Sequence, residues 1–375
     1  MSIRTLAELF LHTAGMNKPD CLLHKVDDQY RPISTADFAE RVKRLSKSFA
    51  DLGVKPGDRV ALMSENGPHW PTVDFAIQCL GAVLVPIYPT LLPEQAAYII
   101  NDCGAKIAVA ETEAHLTGML DHAAELPQVE RLILIKGTPS DSKVVTLESL
   151  INAGAGYDAA AFEAKAKAVE PSALATFIYT SGTTGQPKGV MLTHDNIVSN
   201  LLAAHRAFPI PGTYVALSFL PLSHSFERTV DYFYFYKGIT IAYAESINAL
   251  PKNLQEVRPH LFVAVPRVYE KLLSRVNEAV AAGSPLRQKL FHWAVDVGRR
   301  SVPYRLKQQK PSGLLGLQLA LRAGRENLRT GTDTRTGNEE TRECRGRVAE
   351  RCPSGRRRDS GLRHCRGWFL EARCR

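Results

Sequence analysis

The chain has 375 residues, and 47 Lys and Arg against 38 Asp and Glu give it a formal net charge of +9. An apolar content of 45% and a charged content of 23% exclude collagen, disulfide-rich miniproteins and wholesale disorder. Apolar runs such as residues 82–85 and 132–135 are far shorter than the ~20 residues that cross a bilayer, which excludes an integral membrane protein. The N-terminus lacks the apolar core of a secretory signal, so we expect a cytoplasmic protein.

The charge is concentrated at the C-terminal end. Residues 321–375 hold 15 Arg, no Lys and 8 acidic residues, so this tail carries 15 − 8 = +7 and residues 1–320 carry only +2. Interspersed acids disfavour a nucleic-acid-binding arm, and the cysteines lack the short paired spacing of a zinc module. The composition is typical of a G+C-rich coding strand read out of frame. We interpret the tail as a frameshift near residues 320–325, with a genuine disordered tail as the alternative, and expect no structure there.

The earlier residues alternate between strand and helix patterns. Apolar residues recur every three or four positions over residues 35–52, which predicts an amphipathic helix capped by Thr35 and ended by Gly53. Short apolar runs predict strands at residues 59–63, 82–88, 106–110, 131–136, 175–179 and 261–265, with helices at 73–80, 94–102 and 268–282. Residues 155–170 are Ala-rich and predict a surface connection. The alternation predicts an α/β fold of mixed, mostly parallel sheets flanked by helices.

The chemistry is concentrated in residues 176–194, which read TFIYTSGTTGQPKGVMLTH. An apolar strand runs into a loop whose glycines let several backbone N–H groups face one anion, while hydroxyls and a lysine add donors and positive charge. These donors are Thr180, Ser181, Gly182, Thr183, Thr184, Gly185 and Lys188. The spacing differs from the Walker A loop, which needs a lysine directly after its last glycine. A polyphosphate site is favoured, and a Ser/Gly/Thr surface turn is the alternative.

The segment YTSGTTGQPKG closely resembles the phosphate loop of the AMP-forming acyl-adenylate synthetase superfamily. Further matching stretches are GDRVAL at residues 57–62, LGAVLVPI at 80–87, LPLSHSFER at 220–228 and VPRVYEKL at 265–272. The resemblance covers residues 1–320, which it identifies as part of an AMP-binding, adenylate-forming N-terminal domain. The last two stretches look most like those of a bacterial long-chain fatty acid–CoA ligase.

This resemblance implies a two-step ligase reaction. A fatty acid carboxylate attacks ATP to give acyl-AMP and pyrophosphate, and the thiolate of CoA then displaces AMP. By resemblance, Thr180 is a Mg²⁺ ligand, residues 181–185 and Lys188 hold the phosphates, and Lys188 and His224 are the catalytic candidates. The implied partners are a long-chain fatty acid, ATP and CoA, with no nucleic acid. Peripheral membrane contact and oligomeric state are left open.

Several residues in these segments also have structural interpretations. As an alternative to a catalytic role, His224 is interpreted as an ordinary hydrogen-bonded histidine. The aromatic run at residues 232–236 is interpreted as core packing rather than as the lining of an acyl tunnel. We expect Glu227 and Arg228 to form an ordinary surface pair, and Trp70 to pack at a helix start. Three cysteines are expected to be reduced core thiols, namely Cys21, Cys79 and Cys103.

Other segments of the family pattern are missing from the sequence. A Y-G-x-T-E segment, a T-G-D segment and a small C-terminal domain with a catalytic lysine do not occur after residue 320. We therefore expect a long-chain fatty acid–CoA ligase that is inactive as written. The alternatives are a fatty acyl-AMP ligase that serves a carrier protein and a noncatalytic remnant that binds nucleotide or acyl groups.

Overall fold

The computed structural model describes residues 3–139, 141, 143–180, 186–307, 309 and 311–319. The predicted frameshifted tail, residues 321–375, lies outside the described residues. The described chain divides into two compact units, one ending at Val263 and the other beginning at Ala264.

The first unit contains most of the described elements. Its helices are α1 Leu6–Ala14, α2 Thr35–Asp51, α3 His69–Gln78, α4 Pro93–Asp102, α5 Glu113–Asp121, α6 Leu147–Ala153, α7 Ala159–Lys167, α8 His194–Ala207, α9 Ser225–Lys237 and α10 Leu250–Val257. Its strands are β1 Leu22–Val26, β2 Gln29–Ile33, β3 Arg59–Met63, β4 Val83–Ile87, β5 Ile107–Ala110, β6 Arg131–Leu134, β7 Val144–Thr146, β8 Leu174–Thr180, β9 Lys188–Thr193, β10 Val215–Ser218, β11 Thr240–Tyr243 and β12 Leu261–Phe262. Short 3₁₀ turns follow α5 and α6, at Ala123–Glu125 and Gly154–Gly156.

Within the described residues, these strands form two mixed sheets. The larger has the order β7-β6-β5-β3-β4-β8-β9, and the smaller has the order β12-β10-β11-β1-β2. Each is parallel except for one edge pair, β8 with β9 in the larger sheet and β1 with β2 in the smaller one. The predicted α/β fold with mostly parallel sheets is therefore confirmed.

The central strands of the larger sheet are buried on both faces. Along β3, Val60 and Leu62 pack into a core that also contains Leu22 and Ile241 of the smaller sheet, whereas Ala61 and neighbouring small residues pack into a second core. This alternation arises because successive side chains of a strand point to opposite faces. The aromatic run is confirmed as core packing, since residues 232–235 are all buried. The ring of Phe235 stacks on that of Phe38 at 5.4 Å.

Local details correct the sequence interpretation at several points. Ser34, rather than Thr35, caps α2, and the Thr35 hydroxyl instead accepts a hydrogen bond from the Lys18 N–H at 3.1 Å. The segment expected to be only a surface connection contains α7, which buries Phe162. Trp70 is buried as expected, and the three cysteines before residue 320 are buried free thiols. Burial raises the pKa of both the Cys21 and the Cys103 thiols to about 11.

The second unit is helical over its described residues. It contains α11 Pro266–Ala281 and α12 Pro285–Leu306, and residues 313–319 are also helical. Arg300 of α12 donates a hydrogen bond to Gln318 at 3.1 Å, which joins the last helical segment to α12. None of the described helices combines the length and the apolar character that crossing a bilayer requires.

Candidate active site

A β-hairpin holds the two ends of the glycine-rich segment. Strands β8 and β9 pair antiparallel, and their last pair in register is Thr180 with Lys188. Both side chains are exposed. The predicted phosphate-binding residues Ser181, Gly182, Thr183, Thr184 and Gly185 lie outside the described residues. The hairpin thus brings a hydroxyl and an ammonium group, eight positions apart in sequence, to opposite ends of one loop.

The hairpin is fixed to the rest of the sheet by tyrosines. The Tyr179 hydroxyl donates to the Asp102 carboxylate at 2.5 Å, and the Tyr98 hydroxyl donates to the Pro187 carbonyl at 3.3 Å. Burial and the adjacent Asp102 carboxylate raise the pKa of Tyr179, which keeps its hydroxyl a donor. A Cβ on Gly189 would lie 3.0 Å from the Tyr179 ring, so glycine lets the two strands approach closely here.

An open cavity of about 710 Å³ lies beside the hairpin. Its wall is largely aromatic and polar and includes Tyr88, Tyr98, Tyr179, Thr180 and Gln186. Because Thr180 is part of that wall, a ligand that enters the cavity can reach the beginning of the glycine-rich loop. Sequence analysis did not identify the tyrosines of this wall, which come from three separate segments.

The segment that carries His224 is held at the carboxyl end of the same sheet. Asn66, in the loop after β3, donates from its amide to the Leu220 carbonyl at 2.8 Å and accepts from the Leu222 N–H at 3.0 Å. The Ser223 hydroxyl donates to the carbonyl of Ile87, the last residue of β4, at 3.2 Å. Sequence analysis missed Asn66. Its only signal was a polar residue soon after a buried strand, where ligand-binding loops of parallel sheets lie.

Strand register relates this segment to the hairpin. Leu84 of β4 is paired with Thr176 of β8. Three residues further along β4 is Ile87, which Ser223 contacts. Three residues further along β8 is Tyr179, which precedes Thr180. Thr180 therefore ends β8, and the loop that carries His224, which follows β10 of the smaller sheet, contacts the end of the adjacent strand β4 through Ser223. The two predicted residues are 44 positions apart in sequence.

The hydrogen bond to His224 defines the tautomer of its neutral ring. It caps α9, and its Nδ1 accepts the Phe226 N–H at 3.1 Å. A nitrogen that accepts a hydrogen bond carries no proton, so the neutral ring has its proton on Nε2. The side chain is exposed. His224 thus combines the expected structural role, as a helix cap, with an Nε2–H donor available to a ligand.

The expectation of an ordinary surface pair between Glu227 and Arg228 is wrong, because both side chains are buried. The Arg228 guanidinium contacts Asp74 of α3 instead, with nitrogen–oxygen distances of 2.6 and 3.2 Å. It also donates to the Thr176 hydroxyl of β8 at 2.7 Å. Arg228 lies one turn after His224, so its bonds to Asp74 and Thr176 tie the helix that His224 caps to α3 and to the strand that leads to Thr180.

Two further acids of α9 are buried one turn apart. Glu227 accepts a hydrogen bond from the Ser218 hydroxyl at 2.9 Å, and Asp231 accepts one from the Tyr243 hydroxyl at 2.9 Å. Burial raises the pKa of Glu227, and the nearby Asp231 raises it further. Burial also raises the pKa of Asp231 to about 7. These two bonds link α9 to β10 and β11 of the smaller sheet.

A magnesium ion bound with a nucleotide would fit this site through Thr180. Among the described residues, no cluster of three or more His, Cys, Asp or Glu side chains could hold a metal by itself. Mg²⁺ commonly binds through only one or two protein oxygens together with substrate phosphates and water. An exposed hydroxyl at the beginning of the glycine-rich segment meets that requirement, so Thr180 is compatible with a metal that arrives with a nucleotide.

The chain is similar in sequence to curated long-chain-fatty-acid–CoA ligases. A long-chain-fatty-acid–CoA ligase of Mycobacterium bovis, FadD15, is 33% identical over 267 residues, which are 70% of this chain and 44% of the ligase. The human long-chain-fatty-acid–CoA ligase ACSBG1 is 31% identical over 283 residues, which are 73% of this chain and 39% of the ligase. The chain therefore spans less than half the length of these curated relatives.

Solved structures show the same fold. A long-chain-fatty-acid–CoA ligase from Archaeoglobus fulgidus gives a TM-score of 0.63 at 21% identity, covering 74% of this chain and 55% of that one. The adenylation domain of a carboxylate reductase from Mycobacterium chelonae gives 0.65 at 22% identity, covering 76% of this chain and 50% of that one. The family model described as AMP-binding enzyme matches residues 13–309. Since this match covers well over half of the chain, the protein belongs to the AMP-binding enzyme family.

Proposed function

We propose that this chain provides the phosphate-binding and acyl-facing part of an AMP-forming long-chain fatty acid–CoA ligase. The observation that carries the proposal is the pairing of Thr180 with Lys188 across the ends of a glycine-rich loop. The names of the relatives support the acyl substrate and the acceptor, because both curated ligases described above act on long-chain fatty acids and CoA.

The proposed reaction has two steps. A fatty acid carboxylate oxygen forms a bond to the α-phosphorus of ATP, the bond to the bridging oxygen breaks, and pyrophosphate leaves. The thiolate sulfur of CoA then attacks the acyl carbonyl carbon, and AMP leaves as the thioester forms. Negative charge accumulates on phosphate oxygens in the first step, so fixed donors near the loop lower its barrier.

Each described residue has a distinct task in this scheme. The Lys188 ammonium neutralises phosphate charge as a point charge, and the Thr180 hydroxyl supplies an oxygen for Mg²⁺. Bound Mg²⁺ would supply further charge neutralisation at the phosphates. The His224 Nε2–H donates a hydrogen bond toward the acyl-phosphate region. Asn66 and Arg228 do not contact the substrate in this scheme and act by positioning the His224 segment.

Direct ligand binding tests this proposal independently of turnover. Calorimetry with MgATP and with a non-hydrolysable acyl-sulfamoyl adenosine would be performed on the full chain and on Lys188→Gln. We expect the variant to bind both ligands at least about tenfold more weakly, since a charged hydrogen bond to phosphate is worth roughly 1.5–3 kcal/mol. Lys165→Gln, an exposed lysine on α7, is the matched control and should bind normally. Equal affinity of Lys188→Gln and the unchanged chain would overturn the assignment of the phosphate loop.

A further inference from the structure

Three polar side chains are buried together on one face of helix α9. Glu227, Asp231 and Tyr234 are spaced four and three residues apart, so they lie on the same side of the helix. Their exposed fractions are only 1%, 3% and 0%. Within the described residues, Glu227 Oε2, Asp231 Oδ1 and the Tyr234 hydroxyl oxygen each lack a hydrogen-bond partner. Buried polar atoms are rarely left unpaired, so three of them on one helix face require an explanation.

The smaller sheet supplies one hydroxyl group to each acid. Ser218 of β10 donates to Glu227 Oε1 at 2.9 Å, and Tyr243 of β11 donates to Asp231 Oδ2 at 2.9 Å. These bonds satisfy one oxygen of each carboxyl group. The second oxygen of each, Glu227 Oε2 and Asp231 Oδ1, is left for a further partner. We call Glu227 and Asp231 the α9 acid pair.

The titratable groups around the α9 acid pair on this side are neutral. They are the hydroxyls of Tyr234 and Tyr243 and the thiol of Cys21, which lies near Tyr243. Burial raises the pKa of all three groups, so each is uncharged at neutral pH. The backbone N–H groups of Phe219 and Leu220 favour the charged form of Glu227. The surroundings thus stabilise one negative charge but provide no positive charge.

Cations on the other elements that pack against α9 are directed elsewhere. Arg228 of α9 itself bonds to Asp74 of α3. His12 of α1 contacts the backbone carbonyl of Tyr236, and His205 of α8 packs against the ring of Tyr236. Tyr236 is about 180° around the helix from Glu227. Among the described residues, no Lys, Arg or His side chain shifts the pKa of either acid, so the α9 acid pair is buried without a cation.

Two ionised carboxylates one helical turn apart in the core repel each other, because neither a cation nor bulk water screens them. A single proton between them removes this repulsion, since a carboxylic acid O–H donates a charge-assisted hydrogen bond to a neighbouring carboxylate. We propose that Glu227 and Asp231 share one proton at neutral pH, through Oε2 and Oδ1, and that this bond fixes the first turn of α9 and thereby the position of His224. The pair keeps one negative charge, which the N-terminal end of a helix favours.

The location of Glu227 links the shared proton to His224. Glu227 lies in the first turn of α9, and His224 caps that turn through the Phe226 N–H. When the pH rises and the proton is released to solvent, two carboxylates remain and repel each other, so the first turn separates from β10 and the His224 Nε2–H moves. Glu227 and Asp231 are therefore positioning residues. The shared proton does not depend on the proposed ligase function, whereas its effect on ligand binding rests on that function.

Infrared spectroscopy of the full chain tests the shared proton directly, through the carbonyl stretch of a protonated carboxylic acid. Exposed Asp and Glu side chains are ionised at neutral pH and give no such band there. We expect the unchanged chain to show the band at neutral pH and to lose it reversibly as the pH rises. The double variant Glu227→Gln, Asp231→Asn should lack the band. The matched control, Glu65→Gln, changes an acid outside the pair whose pKa burial also raises, and should keep the band.

The pH dependence of ligand binding tests the positioning of His224. Calorimetry with acyl-sulfamoyl adenosine would compare neutral pH with about pH 9, which is below the ordinary pKa of Tyr and Lys. We expect the unchanged chain and Glu65→Gln to bind about fivefold more weakly at the higher pH, equivalent to one lost neutral hydrogen bond. Glu227→Gln should bind equally at both pH values, because its amide N–H replaces the acid proton and does not titrate. Circular dichroism would establish that every variant is folded.

Other outcomes would contradict the proposal. Absence of the infrared band from the unchanged chain, or its persistence in the double variant, would overturn the shared proton. Absence of the band together with stability that depends on the Na⁺ or K⁺ concentration would assign the two oxygens to a bound cation. The same pH dependence in Glu227→Gln and the unchanged chain would overturn the positioning of His224. If the unchanged chain did not bind the adenosine at all, the proposed function would fail, and the infrared band would still decide the shared proton.

Discussion

Replacement of Arg228 by methionine should strongly destabilise the first unit. The substitution removes the guanidinium that contacts Asp74 at 2.6 Å and leaves that carboxylate buried, with the side chains 3% and 1% exposed in the intact pair. Removing one partner of a buried ion pair typically costs about 3–5 kcal/mol, because the remaining charge has lost its compensation. The Tyr232 hydroxyl, at 2.5 Å, and the Gln78 amide, at 3.0 Å, still bind Asp74, so we expect a loss of about 3 kcal/mol.

The matched control is an arginine in an exposed ion pair. Arg41 pairs with Glu148, and their side chains are 36% and 58% exposed. Arg41→Met should therefore lose no more than about 1 kcal/mol, since water screens such pairs. Urea unfolding followed by circular dichroism and by the fluorescence of Trp70, whose ring lies 5.3 Å from the Arg228 guanidinium, measures both losses.

A double variant separates the charge from the packing. Asp74→Leu with Arg228→Met replaces the pair by apolar side chains of similar size, which is often close to neutral in buried positions. We expect the double variant to be at least about 1 kcal/mol more stable than Arg228→Met alone. The reasoning would be refuted if Arg228→Met lost no more stability than Arg41→Met, or if the double variant were as unstable as the single one.

Three further substitutions test the site and its support. His224→Ala should lower the free energy of unfolding by about 1 kcal/mol, because it removes the cap of α9, whereas His224→Asn keeps a cap. Both variants lack the ring N–H donor and should bind acyl-sulfamoyl adenosine more weakly in calorimetry. Normal binding by His224→Asn would disprove the donor role. Gly189→Ala places a Cβ 3.0 Å from the Tyr179 ring and should lower stability by about 1–3 kcal/mol in urea unfolding, in contrast to Gly15→Ala, whose Cβ would have its closest contact at 3.6 Å. Because burial raises the pKa of Asp231 to about 7, the folded protein retains a proton that the unfolded chain has released, and stability falls as pH rises toward 7. Asp231→Asn should remove the contribution of Asp231 to that fall, at most about 1.4 kcal/mol per pH unit, while Glu227, whose pKa burial also raises, keeps its own contribution. Parallel pH profiles of the two proteins would contradict this assignment.

Sequence patterns predicted much of the local structure because the relevant forces act between near neighbours. The run at residues 59–63 is confirmed as strand β3, and the helix predicted at residues 94–102 is confirmed as α4. The strand expected at residues 261–265 is shorter, ending at Phe262. The glycine-rich loop was recognisable because its donors are consecutive in sequence. The roles of residues 181–185 remain predictions, as does the assignment of Lys188 and His224 to catalysis.

The contacts that position the site could not be predicted, because they join residues far apart in the chain. Asn66 holds the Leu220–Leu222 segment across more than 150 positions, and Asp74 and Arg228 are 154 positions apart. Adjacent in sequence, Glu227 and Arg228 suggested a simple surface pair, yet neighbouring residues of a helix point in directions about 100° apart. Each side chain therefore has different partners, Ser218 in one case and Asp74 in the other. The sequence by itself determined several strands and helices, such as β3 and α4, and predicted a phosphate-binding segment, because those patterns lie within short stretches of chain. Only the tertiary structure decided which buried charges meet, because that depends on how the sheets and helices pack.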